Sequence, residues 1–288
     1  MAITFAVSSY SFARLVGRGE MTQFDTIARA KALGFAAIEF AGLQPPEGEA
    51  PLAYAARLRE ECARQGLQVA AYLTGADFLK NDPGTEAARL CGEVDIAATL
   101  GTELMRHDAS GGWPAPGAGR RVPTFADALP RLAEGCRAVG EYARARGIRT
   151  MVENHGYFCQ DSTRVEALCH AVGQDNFGLL FDMGNFLCAD ENPADAARVL
   201  PLAFHVHAKD FLWKNGETPC PGEGWFATRG GNWLRGTVLG HGIVPLTALA
   251  RKLIQNGYTG TVSLEFEGAE ETMPALRQGL DYLRRIFA

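Results

Sequence analysis

The feature that most restricts the fold of this chain is an alternation of strand-like and helix-like patterns that runs eight times from end to end. Short apolar runs read as strands at Ile3–Ser8, Ala36–Phe40, Leu67–Leu73, Glu103–His107, Ile148–Glu153, Phe177–Asp182, Ala203–His207 and Gly260–Phe266. Helical spacing covers Phe24–Leu33, Leu52–Gln65, Thr85–Leu100, Phe125–Arg146, Ser162–Val172, Pro193–Val199, Pro245–Gln255 and Glu271–Ile286. The first four helices stop at Gly34, Gly66, Gly101 and Gly147, as a glycine C-cap does. Repeated βα units favour a parallel sheet, and right-handed crossovers let eight of them close on themselves. Several strands are apolar on consecutive residues, which fits strands covered on both faces. The expected fold class is α/β, a single (β/α)8 TIM barrel occupying residues 1–288 as one domain, with a long insertion after strand 7.

Composition removes several functions. The formal net charge is -5 and the pI about 5.7, so a nucleic-acid backbone is not an expected partner. The densest basic stretch, Arg144–Arg149, reads as a solvated helix end. No apolar stretch approaches the roughly 20 residues of a spanning helix, so no membrane is expected. Seven scattered cysteines without a Cys-x-x-Cys pair point to reduced thiols. Met1–Val7 has no basic region of the signal-peptide kind and runs straight into a strand pattern. A cytoplasmic protein is expected.

Chemistry concentrates at four strand ends: Glu153, Asp182, His207 and Glu265 each close a hydrophobic run. Parallel barrel strands deliver their carboxyl ends to one mouth, so these four can converge. Three carboxylates and an imidazole suit one divalent metal ion, with Mn2+ first and Mg2+, Co2+ or Zn2+ as alternatives. Each residue alone is weak, because a lone Glu is most often a loop or capping carboxylate and a lone buried His a core residue. Four consecutive strands ending this way carry the argument. A carbonyl beside a hydroxyl can chelate such an ion, which stabilises the enediolate left when the α-proton departs. Glu153 and Glu265 are then expected as metal ligands that double as the acid/base pair.

Further residues are candidates for substrate contact: His155, Lys209, Asn185, His107 at the fourth strand end, and Glu39 at the second. Plain loop, salt-bridge or packing roles stand beside each of these. His205 reads as a core residue and His170 as a helix-surface one. The Gly/Pro-rich loop Ala109–Pro123 and the aromatic-rich loop Asp210–Val244 should shape the pocket, and Trp113 and Trp225 are candidates for substrate binding. No glycine-rich phosphate cradle opens a helix after the seventh or eighth strand, and few Arg or Lys stand there beyond Lys209, Lys214, Arg229 and Arg235, which favours an unphosphorylated sugar over a sugar phosphate.

The motifs Val152-Glu-Asn-His-Gly156, Phe181-Asp-Met-Gly-Asn185, His205-Val-His-Ala-Lys-Asp210, Gly240-His-Gly242 and Ser263-Leu-Glu265 resemble the strand ends of the xylose-isomerase-like sugar isomerase/epimerase barrels. That resemblance covers nearly the whole chain. It implies one metal, usually Mn2+, on Glu153, Asp182, His207 and Glu265, a small carbohydrate substrate, and a homodimer or homotetramer. Ketose 3-epimerases of this fold carry His, Glu and Arg where this chain has Asn185, Cys159 and Trp213, so their substrate grip is absent. His241 stands where relatives often carry an acidic residue. The expected function is a metal-dependent sugar isomerase or epimerase acting on a ketose, keto-sugar or keto-acid. A lyase or dehydratase acting on an inosose or 3-keto-glycoside is the alternative. An endonuclease-IV-type repair enzyme is a weaker reading, given the acidic balance, Tyr72 and Asn185, and a non-catalytic sugar-binding barrel is another.

Overall fold

The structure, a computed structural model, describes residues 3–112 and 123–288. Eight parallel strands close a barrel: β1 (Thr4–Ser8), β2 (Ala37–Ala41), β3 (Gln68–Thr74), β4 (Leu104–His107), β5 (Arg149–Glu153), β6 (Phe177–Asp182), β7 (Ala203–Ala208) and, later in the chain, β11 (Thr261–Leu264). β1 pairs with both β2 and β11, which completes the ring. After a short α1 (Ala13–Gly17), the outer layer is α2 (Gln23–Leu33), α3 (Pro51–Gln65), α4 (Pro83–Leu100), α5 (Phe125–Arg144), α6 (Ser162–Val172), α7 (Pro193–Ala196), α8 (Leu246–Gln255) and α9 (Thr272–Ile286). The (β/α)8 barrel expected from the alternation is the observed fold. Among the described residues, no helix is long and apolar enough to cross a membrane.

Local chemistry sets the boundaries. α2 starts in a capping box in which Thr22 and Asp25 satisfy each other's backbone N–H groups, and Asp82 and Asp161 cap α4 and α6. Gly34, Gly66 and Gly101 end their helices with φ of 93°, 66° and 79°, the left-handed region that costs glycine little. α5 stops at Arg144, two residues short of expectation. Its last turn tightens there, with the Arg146 and Gly147 N–H groups donating to the carbonyls three residues back. The helix expected at Pro193–Val199 is one α-turn followed by a 3-10 segment, Ala197–Leu202, that contains Pro201.

Inside the barrel, Ala71, Leu73, Met151 and Leu180 form a small apolar plug. A larger apolar layer, including Ile38, Phe40, Leu58, Leu90, Val152 and Phe181, fills the space between strands and helices. The mouth lies above the plug, where the strands end in polar residues.

The segment after β7 folds into a separate antiparallel sheet of β8 (Asp210–Lys214), β9 (Phe226–Ala227) and β10 (Trp233–Thr237), in the order β8-β10-β9. Two aspartates tie it down. Asp210, only 2% exposed, accepts N–H groups from Phe211, Gly240, Gly242 and Val244 at 2.8–3.0 Å. Burial pushes its carboxyl above the ordinary value even though those four donors pull the other way. Gly242 is required by this clamp, since a Cβ there would lie 2.2 Å from Asp210 Oδ1. At the other end Asp190 accepts from Thr228 Oγ1 at 2.8 Å, Gly230 N at 2.5 Å and Asn232 Nδ2 at 2.8 Å.

Candidate metal centre

Glu153 closes β5, Asp182 closes β6, His207 lies one residue before the end of β7, and Glu265 immediately follows β11. One ligand atom from each falls within 4.8 Å of the other three. His207 Nδ1 is 3.8, 3.6 and 3.5 Å from the nearest oxygens of Glu153, Asp182 and Glu265. All four side chains are buried.

Their neighbours fix which atom faces the centre. Asp182 Oδ1 accepts the N–H groups of Gly184 and Asn185, both at 2.8 Å, leaving Oδ2 turned inward. Gly184 permits this turn because a Cβ would meet Lys209 Cγ at 2.6 Å and the Phe211 ring at 2.9 Å. Asn154 exchanges hydrogen bonds with the Asp182 backbone and so locks the ends of β5 and β6 together. Asn185 Nδ2 donates to Glu153 Oε1 at 2.8 Å, while Arg106 Nη2 holds Glu153 Oε2 at 2.8 Å and Asp108 Oδ1 at 2.7 Å. Behind His207, Nε2 lies 2.7 Å from Glu39 Oε1, and Glu39 Oε2 lies 2.7 Å from His205 Nε2. A carboxylate behind a ligating imidazole fixes its tautomer and ring orientation. We expect Glu39→Gln to weaken divalent-metal affinity by about 10–100-fold, read by calorimetric titration. Unchanged affinity would remove Glu39 from that role.

The site demands positive charge. Burial disfavours the charged forms of His207 and Lys209, yet facing carboxylates outweigh it and push both well above their ordinary values. For His207 these are Glu39 and Glu265, and for Lys209 they are Asp182, Glu265 and Glu267. Burial would raise Glu265, but Lys209 and His207 hold it well below the usual carboxylate range. Burial would likewise raise Glu39, which His207 and His205 hold low. His207 Nδ1 and Asp182 Oδ2 are buried and make no hydrogen bond among the described residues, although the Lys209 ammonium stands 3.2 Å from Asp182 Oδ2. Three hard oxygen donors, one imidazole nitrogen, two unbonded inward atoms and this electrostatic demand fit a divalent cation.

A cavity of about 380 Å³ opens above the centre, lined among others by Tyr10, Arg106, Glu153, His155, Lys209 and Glu267. His155 reaches Asp108 Oδ1 at 3.2 Å, and Lys209 reaches Glu265 Oε2 at 2.5 Å and Glu267 Oε1 at 2.8 Å. Three expected substrate contacts are corrected. His107 points out of the barrel, fully buried between the Phe78 and Phe177 rings, where burial pushes its pKa down to about 4. Strand alternation gives the inward place on β4 to Arg106 instead. Glu39 is wholly buried beneath His207 and does not reach the cavity. Trp225 is turned against Arg235, 5.5 Å from its guanidinium carbon, and is not among the residues that line this cavity. Asn185 supports Glu153, and Trp113 lies outside the described residues. His205 is core, as expected, and His170 is exposed.

Sequence reasoning missed Arg106, Tyr10 and Glu267. Glu267 had a signal, being two residues past Glu265 on the same face of an extended chain. Arg106 had none, because a four-residue strand, Leu104-Met-Arg-His107, does not reveal which parity faces inward.

The model of the xylose isomerase-like TIM barrel family matches residues 27–286. The chain belongs to that family. Solved structures share its fold. An L-ribulose 3-epimerase superposes with a TM-score of 0.73 at 17% identity, covering 100% of this chain and 95% of its own. The probable 3-DHS dehydratase AsbF from Bacillus anthracis gives 0.72 at 16%, covering 98% and 99%. A xylose isomerase domain protein from Planctomyces limnophilus gives 0.71 at 19%, covering 90% and 91%. No curated protein is significantly similar in sequence.

Proposed function

We propose that this xylose isomerase-like barrel is a divalent-metal-dependent isomerase or epimerase of a ketose, keto-sugar or keto-acid. The observation that carries the reading is the pair Glu153 and Glu265, two carboxylate side chains from opposite ends of the β5–β11 arc that meet at one cradle below an open polar cavity. Glu153, Asp182, His207 and Glu265 would hold the cation. When bound, it supplies Lewis-acid polarisation of the substrate carbonyl and of the charge left by proton removal.

The remaining work falls to the protein's own groups. Glu265, kept ionised by Lys209, accepts the proton from the carbon next to the carbonyl. Lys209 Nζ, 2.5 Å from Glu265 and 2.8 Å from Glu267, stays charged and donates to the substrate oxygen on which negative charge grows. Glu153, clamped by Arg106 and Asn185, stands across the cradle and passes a proton taken up from cavity water to the other side of the substrate, while Glu265 gives the abstracted proton back to water.

Incubating the Mn2+-loaded protein with a panel of ketoses and inososes in D2O tests this. Carbon-bound deuterium without loss of water is the expected result, and it should vanish with chelator. Absence of exchange on every keto-sugar and keto-acid would overturn the reading. Added Mn2+ should also raise the melting temperature, by about 2.7 kcal/mol of stability at a hundred times Kd, and chelator should reverse it. Elimination on an inosose or keto-glycoside is the second reading, favoured by the two cations Arg106 and Lys209 at the cavity, which can assist a departing oxygen. A dehydrated product in the same assay would select it.

A further inference from the structure

A second cavity, of about 420 Å³, adjoins the first and shares His155 and Glu267 with it. Its walls come from the β5–α6 connection and the small sheet. Tyr157, Phe211 and Phe226 supply apolar faces, and Gln160, Asn185 and Arg229 supply a polar edge. Phe211 and Phe226 meet edge to face with ring centres 5.8 Å apart. Phe226 and Tyr157 are 40% and 56% exposed, so part of each ring is open to a ligand.

The walls are held in place. Arg229 Nη1 pairs with Asp161 Oδ2 at 2.7 Å, its Nη2 donates to the Tyr157 carbonyl at 2.5 Å, and its guanidinium lies 5.2 Å from the Tyr157 ring centre. The Arg229 backbone N–H donates to the Cys188 carbonyl at 2.8 Å, and Asp190 fixes the turn around Thr228 and Gly230. A rigid aromatic slot with a hydrogen-bonding edge suits a flat or pyranose ring that carries hydroxyls at its rim.

Resting on the proposed function, we infer that the second cavity binds a second ring attached to the reacting sugar, so that the substrate class is a glycoside whose keto-sugar sits over the metal centre. Because His155 and Glu267 line both cavities, two linked rings of one molecule can occupy them side by side. A free monosaccharide leaves the aromatic slot empty.

The test compares 3-keto-glucose with its phenyl glycoside and with the corresponding keto-disaccharide, on Mn2+-loaded wild type, Phe226→Ala and Tyr157→Ala. Binding is read by calorimetry and proton exchange at carbon by NMR. Either two-ring compound should bind about tenfold tighter or more than 3-keto-glucose, in line with burial of one apolar ring face. The better of the two identifies an aryl or a sugar ring. Phe226→Ala should remove that advantage while leaving 3-keto-glucose binding and exchange within about twofold. Equal binding of one-ring and two-ring compounds would overturn the inference, as would equal losses on both in Phe226→Ala. Exchange on the one-ring sugar with no gain from the second ring refutes this inference and leaves the proposed function standing. Tight two-ring binding with no exchange on any compound refutes the proposed function and leaves the slot assigned.

Discussion

Glu265→Gln is expected to cut turnover on the true substrate by about 10²–10⁴-fold, the range of a lost general base. The substitution keeps the shape and one oxygen while removing the charge that Lys209 and His207 sustain. Two effects combine. The carboxylate loses its basicity, and the cation loses a third of its anionic ligands. Metal content measured beside activity separates them: at saturating Mn2+, a rate still down by that amount assigns the loss to proton transfer. Folding should survive, because Lys209 keeps Asp182 and Glu267 as partners. Glu153→Gln should behave alike, with Arg106 left facing Asp108 alone. Full activity in either variant would end the assignment of Glu153 and Glu265 as the acid/base pair.

The second large effect falls on stability. Asp210→Ala leaves the buried N–H groups of Phe211 and Val244 and the partly buried ones of Gly240 and Gly242 without their acceptor. Unsatisfied buried donors cost about 1–3 kcal/mol each, and partial relaxation with entry of water brings the total to about 3–5 kcal/mol. For a chain of this size that is a fall in melting temperature of roughly 5–10 °C, read by calorimetry. Asp210→Asn should recover only part of it, since an amide offers one acceptor oxygen where the carboxylate offers two. A melting temperature within 1–2 °C of wild type for Asp210→Ala (about 0.5–1 kcal/mol on the same scale) would show that the loop closes without the clamp.

Most of the barrel was legible because its signals are local. The glycines at 34, 66 and 101 act through neighbouring backbone groups, so sequence displays them directly. The four-residue cradle was legible for a different reason: each member stands where its strand ends, and the topology of the barrel supplies the convergence. What escaped depends on relations between distant segments. His107 was preferred over Arg106 by residue type, while the inward parity of β4 is set by its register against β3 and β5. Glu39 sits 166 residues from His205 in sequence and was read as reaching substrate, because nothing near it shows that two histidines lie above it. The small sheet was read as a loop. Its strands pair β8 with β10 across about twenty residues, so the Asn215-Gly216 pair that follows β8 does not lead straight into the partner strand as a two-residue hairpin turn would.

The clamp at Asp210 also divides the chain into two regimes of change. His207, Lys209 and Asp210 follow one another along a single extended run, so the metal ligand, the buried cation and the anchor are fixed together. Beyond Lys214 the chain leaves β8, and it rejoins that strand at Trp233 of β10. Length and sequence between those two points can drift without shifting the register of His207. This is where the fold is free to acquire a new ligand preference while its metal chemistry is inherited unchanged.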